Sequence, residues 1–224
     1  MRIIDAPSPN QDARPPGAAI DTLVLHYTGM PSGAAALARL RDPAAQVSAH
    51  YLVEEDGAIF RLVPDTRRAW HAGVSQWRGV GGLNATSIGI EIVNPGHEWG
   101  YRPFGALQMA AVCDLCLAII ARHGIPATGI VAHSDIAPDR KQDPGELFDW
   151  EGLAANGVGL WPAPDAPRAA GDVPGLLGAI GYRTDLPLPI LLAAFQRRWR
   201  PASVTGLADA ETLARLGAVA FAAA

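Results

Sequence analysis

The stretch TSIGIEIVN, residues 86–94, sets a glutamate inside an apolar, β-branched run. A run of this kind is read as a buried strand. A carboxylate within it costs several kcal/mol of desolvation unless it is paired or faces a polar site. Ile88, Ile90 and Ile92 fall on one face, and Gly89, Glu91 and Val93 on the other. Glu91 therefore needs either an arginine partner in a buried ion pair, or a polar site in which it serves as a general base.

Further strands surround it. IDTLVLHYT (20–28) alternates, with Leu23 and Leu25 on one face and Val24 and His26 on the other. SAHYLVEEDGAIFRLV (48–63) reads as two strands around a Glu-Asp-Gly turn, and GIVAHS (129–134) as one more. Helices are expected over 33–41, ended by Pro43, and over 104–123, ended by Gly124 and Pro126. Residues 8–17, SPNQDARPPG, are polar and Pro-rich and read as a surface arm. Residues 65–86 show no clear period and read as a long loop. The Pro-rich run WPAPDAPRAAGDVP (161–174) has the composition of a linker, and short helical stretches follow at 175–181, 187–199 and 208–217. About fifty residues of three small helices can only just bury a core. The tail is expected to pack as its own unit, with Leu188, Leu191, Leu192, Phe195 and Trp199 as its apolar stripe, and to dock on the first domain.

Eighteen Lys and Arg against twenty-two Asp and Glu give a formal charge of -4, which offers no broad basic field for nucleic acid or an anionic membrane. No uninterrupted apolar run reaches the roughly 18 residues of a membrane span; Asp114 and Pro189 interrupt the best candidates. MRIIDAPSPN at the start lacks a signal-peptide core. A cytoplasmic location is expected on that ground, or a periplasmic or outer-membrane-attached one had a leader been removed. Cys113 and Cys116 stand mid-helix with no second pair and read as buried small hydrophobes.

Two histidines, His26 and His133, each end a strand and open into a polar loop, and Asp143 follows ten residues after the second. A strand histidine is ordinarily just packed or hydrogen-bonded. Taken together, however, two histidines and a carboxylate are a ligand set for catalytic zinc, with a fourth position left for water. Lys141 is ordinarily a solvated loop lysine; beside a metal it could stabilise an oxyanion. His50 shares a strand face with Ser48 and Leu52 and reads as either a core hydrogen-bonder or a site contact. His71, after Trp70, reads as either structural or substrate-touching. His97 and His123 have no supporting context and are expected on the surface.

TLVLHYTGM, SAHYLVEEDGAIFRLV, AWHAGVSQW, LNATSIGIEIVNPG and HSDIAPDRKQDPGELFDW together resemble, in order, the zinc-dependent N-acetylmuramoyl-L-alanine amidases of the type-2 amidase superfamily. The resemblance spans about 8–162. It is most similar to the bacterial anhydro-muramoyl and outer-membrane lipoprotein members, which share the SPN…RP arm. It implies an α/β fold, a mixed central β-sheet flanked by helices, with a small all-α three-helix C-terminal domain. The domains would be 1–162 (1–19 the arm), a linker over 163–174, and 175–224. It implies one zinc ion on His26, His133 and Asp143, with Glu91 as acid/base and Lys141 as transition-state stabiliser. His50, Trp70, His71, Asn84 and Arg140 would touch substrate. Phage and animal relatives carry a tyrosine where this chain has Ala49, so that hydroxyl is missing here and more proton transfer falls to Glu91.

AFQRRWRP…TGLADAETLARL resembles a peptidoglycan-binding-like helical domain, chiefly through Gln196, Gly206, Asp209 and Thr212. The implied reaction is hydrolysis of the amide between N-acetylmuramic acid, or its 1,6-anhydro form, and the L-alanine of stem peptides. The partners would be peptidoglycan fragments, with neither nucleic acid nor a membrane span. The other reading is a non-catalytic peptidoglycan-binding or sensing protein on the same scaffold; binding-only relatives lose a ligand, whereas here all three are present.

Overall fold

A computed structural model describes residues 2–224; Met1, the first residue of the expected arm, lies outside the described residues. The strands are β1 (Ile3–Asp5), β2 (Gln11–Ala13), β3 (Thr22–Tyr27), β4 (Tyr51–Val53), β5 (Ile59–Arg61), β6 (Arg67–Ala69), β7 (Gln76–Trp77), β8 (Val80–Gly81), β9 (Ser87–Ile92) and β10 (Ile130–Ala132). The helices are α1 (Gly33–Arg41), α2 (Gly96–Trp99), α3 (Ala106–His123), α4 (His133–Ile136), α5 (Trp150–Ala155), α6 (Val173–Ile180), α7 (Leu188–Trp199) and α8 (Ala210–Ala222).

Six strands form one mixed sheet in the order β1-β5-β4-β9-β3-β10. The strands β4, β9, β3 and β10 run parallel, while β5 is antiparallel to β4. This is the α/β architecture expected from the sequence. Alternation sorts the central strands as read: Leu23, Leu25, Ile88, Ile90 and Ile92 enter one apolar cluster with Val112, Leu115, Cys116 and Ile119 of α3. The helix α3 is long and apolar enough to cross a membrane by composition, with mean hydropathy 1.4. Here, however, its inner face lies in the core beneath the sheet. Cys116 is fully buried, which pushes its thiol well up, and it packs as a small hydrophobe.

Two expectations are corrected. The N-terminal arm, exposed at Pro9, Ala13 and 15–17, does not hang free of the fold: β1 extends the main sheet by pairing parallel with β5, and β2 pairs antiparallel with β6. The Ser8 hydroxyl donates to Leu40 O at 2.6 Å, and the Arg14 guanidinium donates to the carbonyls of Asp65, Ala85 and Ser87 at 2.7–2.9 Å. Its polarity serves backbone groups inside the fold rather than solvent. Residues 65–86 are likewise structured, holding β6, the β7–β8 pair and a 3₁₀ turn at Leu83–Ala85. Strands of two or three residues are too short for a period to show.

The C-terminal helices do not pack by themselves. Leu177, Ile180, Leu191, Phe195, Trp199 and Leu216 join Val24, Trp77, Leu83, Val131 and Ile136 in a single apolar cluster on the other side of the sheet. Within the tail, buried Gln196 ties α7 to the turn before α8. Its Oε1 accepts from the Thr205 and Gly206 amides, and its Nε2 donates to Leu207 O and Thr212 Oγ1. Asp209 caps α8 through the Thr212 amide. The residues that carry the tail's resemblance thus hold its turn in place.

Because the cluster is shared, truncating Phe195, which is fully buried, should weaken the whole molecule. Phe195→Ala is expected to cost about 3–5 kcal/mol. Urea unfolding followed by far-UV circular dichroism and by tryptophan fluorescence should give one coincident transition in both wild type and variant. Separate transitions would show that the tail has a core of its own.

Candidate metal centre and active-site groove

The parallel strands deliver their polar residues to one end of the sheet, their carboxyl ends, where ligands of open α/β sheets usually sit. In the β3–β9 register His26 lies opposite Glu91, and β4 places Leu52 on the other side of Glu91. His133 follows directly on β10 as the first residue of α4. Asp143 comes back from the loop after α4, fastened by the Ser134 amide donating to Asp143 O at 3.0 Å.

His26, His133 and Asp143 converge as read. Nδ1 of His26 lies 2.9 Å from Nδ1 of His133, and each of these nitrogens is 3.0 Å from Asp143 Oδ2. All three residues are buried. Burial, and after it the neighbouring His133, lowers the His26 pKa to about 4, so its ring is neutral. Burial opposes ionisation of Asp143, but the two imidazoles outweigh it and hold the carboxyl well below the usual carboxylate range.

Hydrogen bonding behind the triad decides which ring nitrogen is free. The Ser87 hydroxyl donates to Leu83 O at 2.6 Å, so it accepts from His71 Nε2 at 3.2 Å. His71 Nδ1 is then an acceptor, filled by His26 Nε2–H at 3.0 Å. His26 Nδ1 is left as a lone pair facing the site. His133 Nε2–H likewise donates to Ala72 O at 3.3 Å, freeing its own Nδ1. Without a cation, these three atoms are held together by a proton between imidazole and the Asp143 oxygen, and a divalent cation can take that proton's place. Two imidazoles and a carboxylate, each ring backed by an acceptor, suit a divalent cation such as zinc.

The groove over this triad encloses about 440 Å³ and is also walled by Glu91, Lys141, His71, Arg140, His97 and Tyr27. Glu91 is half-buried, yet its Oε2 is shut off from solvent and has no hydrogen-bond partner among the described residues. No arginine pairs with it there, against the ion-pair reading. Burial, reinforced by the Asp143 charge and opposed by Lys141, raises its carboxyl well above the ordinary value. Lys141 hangs from the end of α4, its amide donating to Ala137 O at 3.0 Å.

Of the expected substrate contacts, Arg140 and His71 line the groove, but three others do not. His50 is fully buried; its Nδ1 accepts from the Gly89 amide at 3.0 Å and its Nε2 faces Arg67 O at 3.1 Å. It is a core hydrogen-bonder. Asn84 works behind the site: its Oδ1 accepts from the His71 and Ala72 amides at 3.0 and 2.7 Å, aiming that loop at both histidine ligands. Trp70 is half-buried away from the groove, its amide donating to Ser48 Oγ. The loop fits against the sheet only because residue 89 is glycine, since a Cβ there would run into the His71 ring.

His97, expected on the surface, is exposed there and also forms part of the groove wall. It meets Tyr27 OH at 2.9 Å and Glu146 at 3.2 Å and stacks on Tyr101 at 4.4 Å between ring centres.

A histidine–histidine–aspartate cluster at the carboxyl ends of parallel strands, with an unpaired, half-buried carboxylate beside it, defines a metallohydrolase-type site. The N-acetylmuramoyl-L-alanine amidase family matches residues 16–146. The chain is 41% identical over 224 residues to N-acetylmuramoyl-L-alanine amidase AmiD of Escherichia coli (strain K12), covering 87% of this chain and 80% of that one. It is 39% identical over 161 residues to the 1,6-anhydro-N-acetylmuramyl-L-alanine amidase AmpD of the same organism, covering 64% of this chain and 86% of that one. It is also similar to the solved complex of E. coli AmiD with anhydro-N-acetylmuramic acid-L-Ala-D-gamma-Glu-L-Lys, with TM-score 0.79 and 39% identity over 92% of this chain and 91% of that one. The chain belongs to the N-acetylmuramoyl-L-alanine amidase family.

Burial, and after it the charge of Arg14, keeps His50 neutral down to about pH 3, whereas in the unfolded chain it titrates near 6.5. Between these values the unfolded state binds the extra proton, so stability falls as pH drops from about 6.5 toward 3. In metal-free protein, His50→Gln should reduce that slope by about 1.4 kcal/mol per pH unit. Denaturant titrations at pH 4, 5 and 6 measure it; an unchanged slope would show that His50 does not carry the effect.

Proposed function

We infer that the chain is a zinc-dependent hydrolase of the amide joining the lactyl group of N-acetylmuramic acid, or its 1,6-anhydro form, to the L-alanine of peptidoglycan stem peptides. Family membership supports the reaction, and the donor triad supports a metal. The observation that carries catalysis rather than mere binding is Glu91. A solvent-shielded carboxylate oxygen without a partner, on the wall of the same groove, has no structural task to account for its desolvation cost.

His26, His133 and Asp143 would hold the zinc ion. When bound, zinc supplies Lewis acidity and makes a hydroxide-level nucleophile available at neutral pH. Glu91 accepts the proton of the attacking water and returns a proton to the departing L-alanine nitrogen. Its raised carboxyl suits both duties, because a group that titrates nearer neutrality accepts and releases protons with little penalty. Lys141 sets its ammonium toward the charge that grows on the scissile carbonyl oxygen. Ala49 is fully buried and has no hydroxyl, so Glu91 works without a tyrosine partner at that position. Arg140 and His97 along the groove are the side chains offered to substrate. We read 1–162 as the catalytic unit, 163–174 as a linker and 175–224 as a peptidoglycan-binding-like helical unit; the surface-lying, Pro-rich 163–168 supports this division.

Metal analysis of His133→Ala should show most of the zinc lost; full occupancy would remove the ligand assignment. Glu91→Gln keeps size and shape, so it should retain zinc while kcat falls about 10²–10⁴-fold. Lys141→Ala should lower kcat about 10²–10³-fold with KM little changed, because the charge it answers exists only in the transition state. Mass spectrometry of peptides released from sacculi and from anhydro-muropeptides reads both. Wild-type rates in zinc-loaded Glu91→Gln would leave Glu91 without a catalytic role.

A further inference from the structure

Two charged residues buried far from solvent lie directly behind His133, and the mechanism uses neither. Asp135 is 1% exposed and Arg198 is 3% exposed. Arg198 Nη1 donates to Asp135 Oδ2 at 2.7 Å, and the Tyr182 hydroxyl donates to Oδ1 at 2.5 Å. Oδ2 also accepts from the Ala132 amide at 2.9 Å, capping the first turn of α4. The guanidinium lies over Trp150 at 4.1 Å and over Trp199 at 4.4 Å. Asp135 belongs to α4, while Tyr182 follows α6 and Arg198 lies on α7.

The helix α4 is a single turn, too short to hold its shape without tertiary support. Yet it begins with His133, its Ser134 amide holds the backbone of Asp143, and its end holds Lys141 through Ala137 O. Whatever fixes α4 therefore fixes two of the three candidate metal ligands and the lysine. A buried ion pair is weak as a source of net stability, but it fixes geometry.

We propose that the C-terminal helical unit completes the metal site, with Asp135, Arg198 and Tyr182 as positioning residues that hold α4 and through it His133. The proposal rests on His133 being a metal ligand. It makes the tail part of the catalytic apparatus and not only an attached module.

The full-length protein should be compared as wild type, Arg198→Met, Tyr182→Phe and Phe195→Leu, the last loosening the shared apolar core without touching Asp135. Zinc affinity is measured by competition with a chromophoric chelator, unfolding by denaturant, and local opening by amide hydrogen exchange at residues 132–137 in metal-free protein. Arg198→Met should weaken zinc binding about 10–100-fold and speed exchange at residues 132–137 ahead of β3 and β9. Tyr182→Phe should do the same to a smaller degree, and it decides the matter if Arg198→Met fails to fold. Phe195→Leu should lower stability with zinc affinity unchanged. Wild-type zinc affinity and exchange in Arg198→Met or Tyr182→Phe would overturn the proposal. So would equal loss of zinc affinity in Phe195→Leu, because the network would then be an interdomain staple only. If wild type bound no zinc while exchange at 132–137 still rose in Arg198→Met, the metal reading would fail and the control of α4 by the tail would stand.

Discussion

Keeping His26 neutral, with its Nδ1 lone pair turned toward His133 and Asp143, is the condition on which the rest of this site depends. One chain of donors enforces it, running from His26 through His71 and Ser87 to the carbonyl of Leu83. The short Ser87–Leu83 bond sets the direction of the chain, and reversing it would give that bond up. The surroundings serve that chain. Gly89 makes room for the His71 ring, Asn84 sets the loop that carries it, and Arg14 satisfies the carbonyls on either side of the strand entry. The N-terminal segment that supplies Arg14 is thus part of the machinery, though none of its residues reaches the groove.

A second constraint is the parallel register of β3 and β9. It sets His26 beside Glu91 on one face while the isoleucines and leucines between them are sealed on the other. The same pairing that builds the core therefore delivers the acid/base candidate to the donor triad. A slip of one residue would turn Glu91 into the apolar layer and abolish both at once. Burial raises the Glu91 carboxyl, whereas two imidazoles pull Asp143 the other way. Two carboxylates in one groove are in this way set apart in acidity, the division that the acid–base role proposed for Glu91 needs.

Much of this was readable in the chain itself. The alternation around His26 and Glu91 placed both on a polar face, and the HSDIAPDRKQDPG run pointed to His133, Lys141 and Asp143 through the likeness it carries. What escaped reading has a common cause. The strands β1 and β2 are three residues long and held by backbone bonds, which leave no side-chain pattern. The tasks of His50 and Asn84 depend on amides 12 to 39 residues away, so spacing suggested substrate contacts where the fold uses them as internal supports. The sharing of one apolar cluster between sheet and tail was hidden for the same reason. Val24 and Val131 read as strand residues, and nothing in their spacing reports that Phe195 and Leu216 lie against them.

The Asp135–Arg198 pair shows how physical cost can locate function. Removing two charges from water costs several kcal/mol each, and well-packed apolar residues of similar size would often serve stability as well or better. Here the cost is offset piecemeal, by Tyr182, by the Ala132 amide and by two indole faces over the guanidinium. An apolar substitute could fill the same volume, but it could not cap the first turn of α4 or fix its rotation, because dispersion contacts have no preferred direction. Direction is what a metal ligand requires: a displacement of about 1 Å at a donor is enough to degrade the geometry that catalysis depends on. A one-turn helix bearing His133 at its first residue has little rigidity of its own. On the proposal made above, its orientation is supplied from α6 and α7 through the most directional contact available, a buried carboxylate gripped from two sides.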